Sequence, residues 1–145
     1  MSQSATDELK ATVDVVEETY EFCLAYAAKG VSGLMARTGD TQVREQLDKL
    51  ATALPSLADI FLKVVEDREG DGRDQYKGFI DVLRRDAEAG HAAVRLVLAQ
   101  QNITSQMVDN LNGMIHLRAL LTDVFLIDEM LRPEAEQPLH IQPAE

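Results

Sequence analysis

Residues 40–69 read DTQVREQLDKLATALPSLADIFLKVVEDRE, and the spacing of the apolar residues in this stretch decides the fold. The apolar residues recur at intervals of three and four: Val43, Leu47, Leu50, Leu54, Leu57, Phe61, Val64 and Val65. This period places their side chains on one face of an α-helix. Pro55 interrupts the run, but the stripe keeps its phase across it, and the proline falls about 100° from the stripe. We therefore predict one helix, kinked at Pro55, with the proline on its outer face.

Similar stripes on both sides of this stretch predict three more helices. They are one capped at Thr6 or Asp7 and reaching about Lys29, one from the turn 70–72 to about Gln101, and one from the link 102–105 to about Leu131. Long helices joined by short links lie antiparallel. The sequence therefore predicts an all-α fold, an antiparallel up-down four-helix bundle, as a single domain over residues 1–132. The segment 133–145 holds three of the four prolines, and we expect it to form a loose or disordered tail.

The charge of the chain excludes several classes of partner. There are 25 Asp and Glu residues against 14 Lys and Arg, a formal net charge of −11. An acidic surface repels nucleic-acid phosphates and anionic lipids, so we expect neither nucleic acid nor membrane as a partner. No apolar run approaches the roughly 18 residues of a membrane span. With a single cysteine, Cys23, and no leader-like start, the sequence favours a cytoplasmic location.

The pair Glu88 and His91 has the spacing with which carboxylate-bridged di-metal bundles hold an ion. In an antiparallel bundle, His116 of the fourth helix comes to the level of Glu88. The helical wheel argues against a metal site, because Glu88 lies about 120° from the core direction and His91 about 60°. We therefore expect a solvated glutamate and a histidine flanking the core.

The loop after the second helix resembles the first half of an EF-hand calcium loop. Asp67, Glu69 and Asp71 stand at loop positions one, three and five, with Gly72 at position six. Position twelve, where a bidentate glutamate is expected, is Gly78. We interpret the loop as an acidic turn between helices without specific calcium binding, and we expect no cofactor.

The sequence contains no recognisable set of catalytic residues. Cys23 lies on an apolar helical face, where a free thiol is usually a small core side chain. With only three histidines in the chain, no Ser-His-Asp or Cys-His arrangement can be placed. No glycine-rich phosphate loop follows a strand, since no strand is evident.

The fourth helix carries more apolar residues than one bundle face requires. One stripe is Met114, Leu121 and Phe125, and the other is Leu117, Leu120, Val124, Ile127 and Leu131. We predict that the second stripe forms the interface of a homodimer, because soluble monomers generally avoid large apolar patches. The alternative is that the second helix and a turn at 31–35 cover it within one chain. Arg118 lies within the first stripe and either pairs with an acid such as Asp128 or extends to water.

We interpret the chain as a non-enzymatic helical-bundle protein that acts through self-association and protein–protein interaction, in assembly or regulation. Two alternatives remain open. One is a bundle that binds a metal ion or a small ligand in its core. The other is an enzyme that depends on a cofactor or on residues of a partner subunit.

Overall fold

The computed structural model describes residues 2–30, 41–67 and 72–131, and these are all-helical without a β-strand, which confirms the predicted all-α class. The five described helices are α1 (Ser2–Ala28), α2 (Thr41–Glu66), α3 (Arg73–Leu98), α4 (Ser105–Gly113) and α5 (Ile115–Leu131). Three predicted features lie outside the described residues: the turn at 31–35, the loop residues Glu69 and Asp71, and the tail 133–145. Among the described helices, none is both long and apolar enough to cross a membrane.

Helix α2 supplies the centre of the core. All eight residues of its predicted stripe are buried, and Ala58 and Ile60 are buried beside them. The helix continues without interruption through Pro55, and Pro55 is exposed, as the phase of the stripe predicts. The ring of Pro55 stays in contact with solvent, so the proline takes no place in the core.

Helix α1 begins earlier than predicted. It starts at Ser2, not after a cap at Thr6 or Asp7. The reason is Ala5, which lies four residues before Leu9 and is buried with it, so the apolar stripe extends one turn toward the amino terminus.

The predicted fourth helix is two helices, with Met114 between them in an extended conformation (φ −64°, ψ 134°). The amide of Met114 donates to the carbonyl of Leu111, closing α4, and the carbonyl of Met114 accepts from the amide of Arg118, opening α5. Gly113 stands directly before the break, and glycine weakens a helix interior because it loses the most conformational freedom.

The break lets the two short helices pack on different partners. Helix α1 packs against α2, α2 against α3, and α3 against α5, while α4 packs mainly against α1. Helices α4 and α5 together therefore occupy the side of the fold that one continuous fourth helix was predicted to fill.

Candidate functional site

The most unusual surface of the described chain is the outer side of α5. Four large apolar side chains are exposed there: Ile115 at 79%, Phe125 at 51%, Leu126 at 46% and Met130 at 49%. We call these four residues the outer apolar face of α5. A helix that already buries one apolar stripe normally presents polar side chains on its other side. This face therefore suits contact with another surface.

The predicted interface residues lie on the opposite side of α5. Leu117, Leu120, Val124 and Ile127 are at most 4% exposed and fill the core of the single chain. Leu131 is partly buried and packs against the same core. The physical reason is that this broader stripe is the one that α5 turns toward α3. These side chains are therefore not available to a second copy of the folded chain.

Arg118 is exposed and needs no buried counter-charge. The break at Met114 sets the rotation of α5, which turns Arg118 to the same side as Phe125 and Leu126. The outer apolar face thus carries a positive charge near its amino-terminal end.

A pair of acidic side chains lies where α5 meets α3. Asp123 of α5 is only 9% exposed, and its carboxyl group lies close enough to that of Asp86 on α3 for the two to interact. Burial, followed by the hydrogen bond and the charge of Asp86, raises the pKa of Asp123 to about 7. The Nδ1 atom of His116 lies 3.9 Å from Oδ1 of Asp86. Asp86 of α3 therefore lies near two titratable side chains of α5, Asp123 and His116.

The structure separates the residues of the first metal candidate. Glu88 is exposed, as the wheel predicts, and His91 is half-buried on the side of α3 that faces α2. His116 instead lies beside Asp86, two residues before Glu88, and two residues correspond to about 200° around a helix. In the described ranges, no three His, Cys, Asp or Glu side chains come together in a way that could hold a metal ion.

Two adjacent clefts follow the seam between α2 and α3. The larger, of about 390 Å³, is lined by Asp48, Ala51, Thr52, His91, Arg95, Leu98 and Ala99. The smaller, of about 170 Å³, is lined by Leu54, Pro55, Ala58, Arg84, Ala87, Glu88 and His91. His91 borders both, and the linings mix positive, negative and apolar groups, so the clefts show no preference for one ligand charge.

The remaining candidate residues are those of the predicted calcium loop and Cys23. Of the calcium-loop residues, Asp67 is exposed, and Gly78 lies within α3 with open space around it. Cys23 is 2% exposed, and burial raises the pKa of its thiol to about 11. A thiol that stays protonated at neutral pH is a poor nucleophile, which agrees with its predicted role as a core side chain.

Sequence reasoning missed the acidic pair, although a signal for it exists. Asp123 stands three residues after Leu120 and four before Ile127, so a helical period places it beside two core residues. An acid at such a position is rarely buried without a partner. The same reasoning applies to Asp86, which stands three residues after Leu83.

No known protein family, curated protein or solved structure matches this chain.

Proposed function

We propose that the chain is a non-enzymatic helical-bundle protein that acts by self-association through the outer apolar face of α5, in assembly or regulation. The observation that supports this proposal is the exposure of Ile115, Phe125, Leu126 and Met130 on a helix whose opposite side already fills the core. Covering these side chains removes apolar surface from water, which is the dominant driving force of association.

The distribution of charge on α5 favours a second copy of the chain as the occupant. Arg118 and Glu129 are eleven residues apart, about three helical turns, and therefore lie on the same line of the helix. Two α5 helices can pair antiparallel about a two-fold axis that crosses their outer faces midway between Arg118 and Glu129. Arg118 of each copy then lies opposite Glu129 of the other. A two-fold interface is self-complementary in this way, and opposite charges at its ends fix the orientation of the copies.

The dimensions of α5 set the expected strength of the dimer. Its 17 residues give a helix of about 25 Å. Stable interfaces bury about 800 Å² on each partner, which is more than one helix of this length presents. We therefore expect an equilibrium between monomer and dimer in the micromolar range, and not a permanent assembly.

The finer architecture and the location belong to the same proposal. We propose an antiparallel up-down bundle with a bend in α2 at Pro55, which the sequential packing of α1 on α2 and α2 on α3 supports. A cytoplasmic location is supported by Cys23, a lone buried thiol that has no disulfide partner in this chain.

Sedimentation equilibrium over a range of protein concentrations tests the proposal. The monomer has a mass of 16.1 kDa, and the weight-average mass should approach twice that value at high concentration. Phe125→Glu and Leu126→Glu should return the chain to the monomer, because each places a charge in the apolar contact. Circular dichroism should show unchanged helicity, since both side chains are exposed in the single chain.

Leu96→Glu is the matched control, because Leu96 is an apolar residue of α3 that is 67% exposed and lies outside the outer apolar face of α5. It should leave the dimer intact. A mass that stays at the monomer value at every concentration would overturn the proposal. A monomer that becomes less stable on Phe125→Glu would show that this face is covered within the chain.

A second candidate function, the binding of a small ligand, is favoured by the larger α2–α3 cleft. Its volume of about 390 Å³ lies within the range of about 300–1,000 Å³ that is typical of ligand pockets. A fragment screen monitored by NMR should then perturb the amide signals of Thr52 and His91 together, and His91→Ala should abolish the perturbation.

A further inference from the structure

Two carboxyl groups from different helices meet inside the α3–α5 interface. Asp123 is 9% exposed and the side chain of Asp86 is 18% exposed. The residues next to them or one turn away along the two helices are buried and apolar: Leu83 and Ala87 on α3, and Leu120, Val124 and Ile127 on α5. An ionised carboxylate only accepts hydrogen bonds, so Asp86 and Asp123 can form a hydrogen bond with each other only when one of them carries a proton.

The second carboxyl oxygen of Asp123 also indicates that one of the two acids carries a proton. Its Oδ2 atom is buried and has no hydrogen-bond partner in the described part of the chain. A charged carboxylate with an unpaired buried oxygen is strongly disfavoured, whereas a neutral carboxyl group loses much less on burial.

Apart from His116, no basic side chain of the described residues forms an ion pair with the two acids. Helix α3 presents Asp86 to Asp123, and α5 itself presents His116 to Asp86. The one titratable residue of α4, Asp109, is exposed. No lysine or arginine of the described ranges forms an ion pair with Asp86 or Asp123.

Helix α1 also packs against α5, but on a different side. Its Tyr20 and Cys23 line a cavity beside Leu117 and Leu121. Leu121 and Asp123 are two residues apart, about 200° around α5, so neither Tyr20 nor Cys23 faces the acidic pair.

We propose that Asp86 and Asp123 form one proton-binding site that holds α5 against α3 and weakens this contact when the proton is lost. Loss of the proton leaves two carboxylates facing each other in an apolar interface, where like charges repel strongly. The site couples the packing of α5 to pH.

The pKa of Asp123 places the transition near neutrality. Burial and Asp86 raise it from 3.8 to about 7, so the folded chain binds this proton about a thousand times more tightly than an ordinary aspartate does. The unfolded chain releases the proton at the lower pKa. This contribution to stability is therefore complete below about pH 4 and is lost as the pH rises through about 7.

A comparison of thermal unfolding midpoints between about pH 5 and about pH 9 tests the site. The midpoint of the unmodified chain should fall between about pH 5 and about pH 7 and then level off, because above about pH 7 the folded chain has also lost this proton. Asp123→Asn keeps the shape and donates a hydrogen bond to Asp86 without a titrating proton, so its midpoint should not fall in this range. Asp81→Asn, which removes an exposed carboxylate from α3, should behave like the unmodified chain. Identical pH dependence in the Asp123→Asn chain would overturn the proposal.

A direct titration of the unmodified chain keeps the test independent of any variant. The carboxyl carbon of Asp123, followed by NMR, should titrate near neutral pH, and a midpoint in the ordinary aspartate range would overturn the proposal. Zinc or calcium added at alkaline pH should not raise the unfolding midpoint. A rise that Asp123→Asn abolishes would assign the pair to a metal ion instead of a proton.

Discussion

Tyr26 and Ser105 join the end of α1 to the start of α4, because the Ser105 hydroxyl donates a hydrogen bond of 2.6 Å to the carbonyl of Tyr26. The hydroxyl of Tyr26 in turn donates to the carbonyl of Ile103, also at 2.6 Å. Thr104 lies between these partners and caps α4 by accepting a hydrogen bond from the amide of Met107. Polar contacts inside the core thus fix where α4 begins.

Tyr26→Phe should lower the free energy of unfolding by about 1–3 kcal/mol, because it leaves the buried carbonyl of Ile103 without this donor. Urea denaturation monitored by circular dichroism measures the change. Tyr20→Phe is the matched control, since the Tyr20 hydroxyl makes no hydrogen bond to the described part of the chain, and it should be close to neutral. Equal losses in the two variants would show that the Tyr26–Ile103 bond contributes nothing.

Arg44→Lys should loosen the carboxyl-terminal end of α3. The guanidinium of Arg44 donates to the carbonyls of Leu98, Gln100 and Gln101, at distances of 3.0, 2.6 and 3.0 Å. Lysine cannot reproduce this planar arrangement of donors, so we expect the free energy of unfolding to fall by about 1–3 kcal/mol.

Hydrogen exchange should show the loss of protection concentrated in residues 98–103. Arg95→Lys is the control for Arg44→Lys, because Arg95 is exposed in the last turn of α3 and should tolerate the change. Uniform loss of protection along the whole chain would contradict a local role for Arg44.

Gly90→Ala should stabilise the fold by about 0.5–1 kcal/mol. A methyl group at Gly90 would meet Leu117 and Leu120 at 3.7 Å and Leu54 at 3.9 Å, which are ordinary contact distances. Alanine also loses less backbone freedom in a helix than glycine does.

Two other glycines are the controls for Gly90. Gly78→Ala, at an open position of α3, should stabilise through helix propensity alone. Gly72→Ala should destabilise, because Gly72 has φ +91°, a conformation that alanine adopts only with strain. Thermal unfolding ranks the three variants, and a destabilising Gly90→Ala would show that the core around Leu117 and Leu120 cannot yield.

The stripe of α2 could be predicted from the sequence because its apolar residues follow one helical period and its charges stay off that face. The side of α5 that is buried could not be predicted in the same way. Both of its stripes are apolar, and the rotation of the helix depends on the break at Met114, across which the apolar pattern continues.

The acidic pair illustrates the same limit. Asp86 and Asp123 are each visible in the sequence as acids beside core positions. Their meeting depends on the register of α5 against α3, which the break also sets. A pattern along one helix carries no information on the register between two helices.

Asn112→Ala should leave stability nearly unchanged, although Asn112 is only 6% exposed. Its Nδ2 atom is buried without a hydrogen-bond partner in the described residues, and an unpaired buried amide costs about 1–3 kcal/mol. Asn112→Ala removes this unpaired amide and adds the higher helix propensity of alanine. These two gains in stability offset the loss that comes from enlarging the cavity. Leu111→Ala, at the adjacent buried position, has no such compensation and should lose about 2–5 kcal/mol. If urea denaturation shows equal losses, the amide has a partner after all, such as a water molecule in the cavity of about 10 Å³ that it lines.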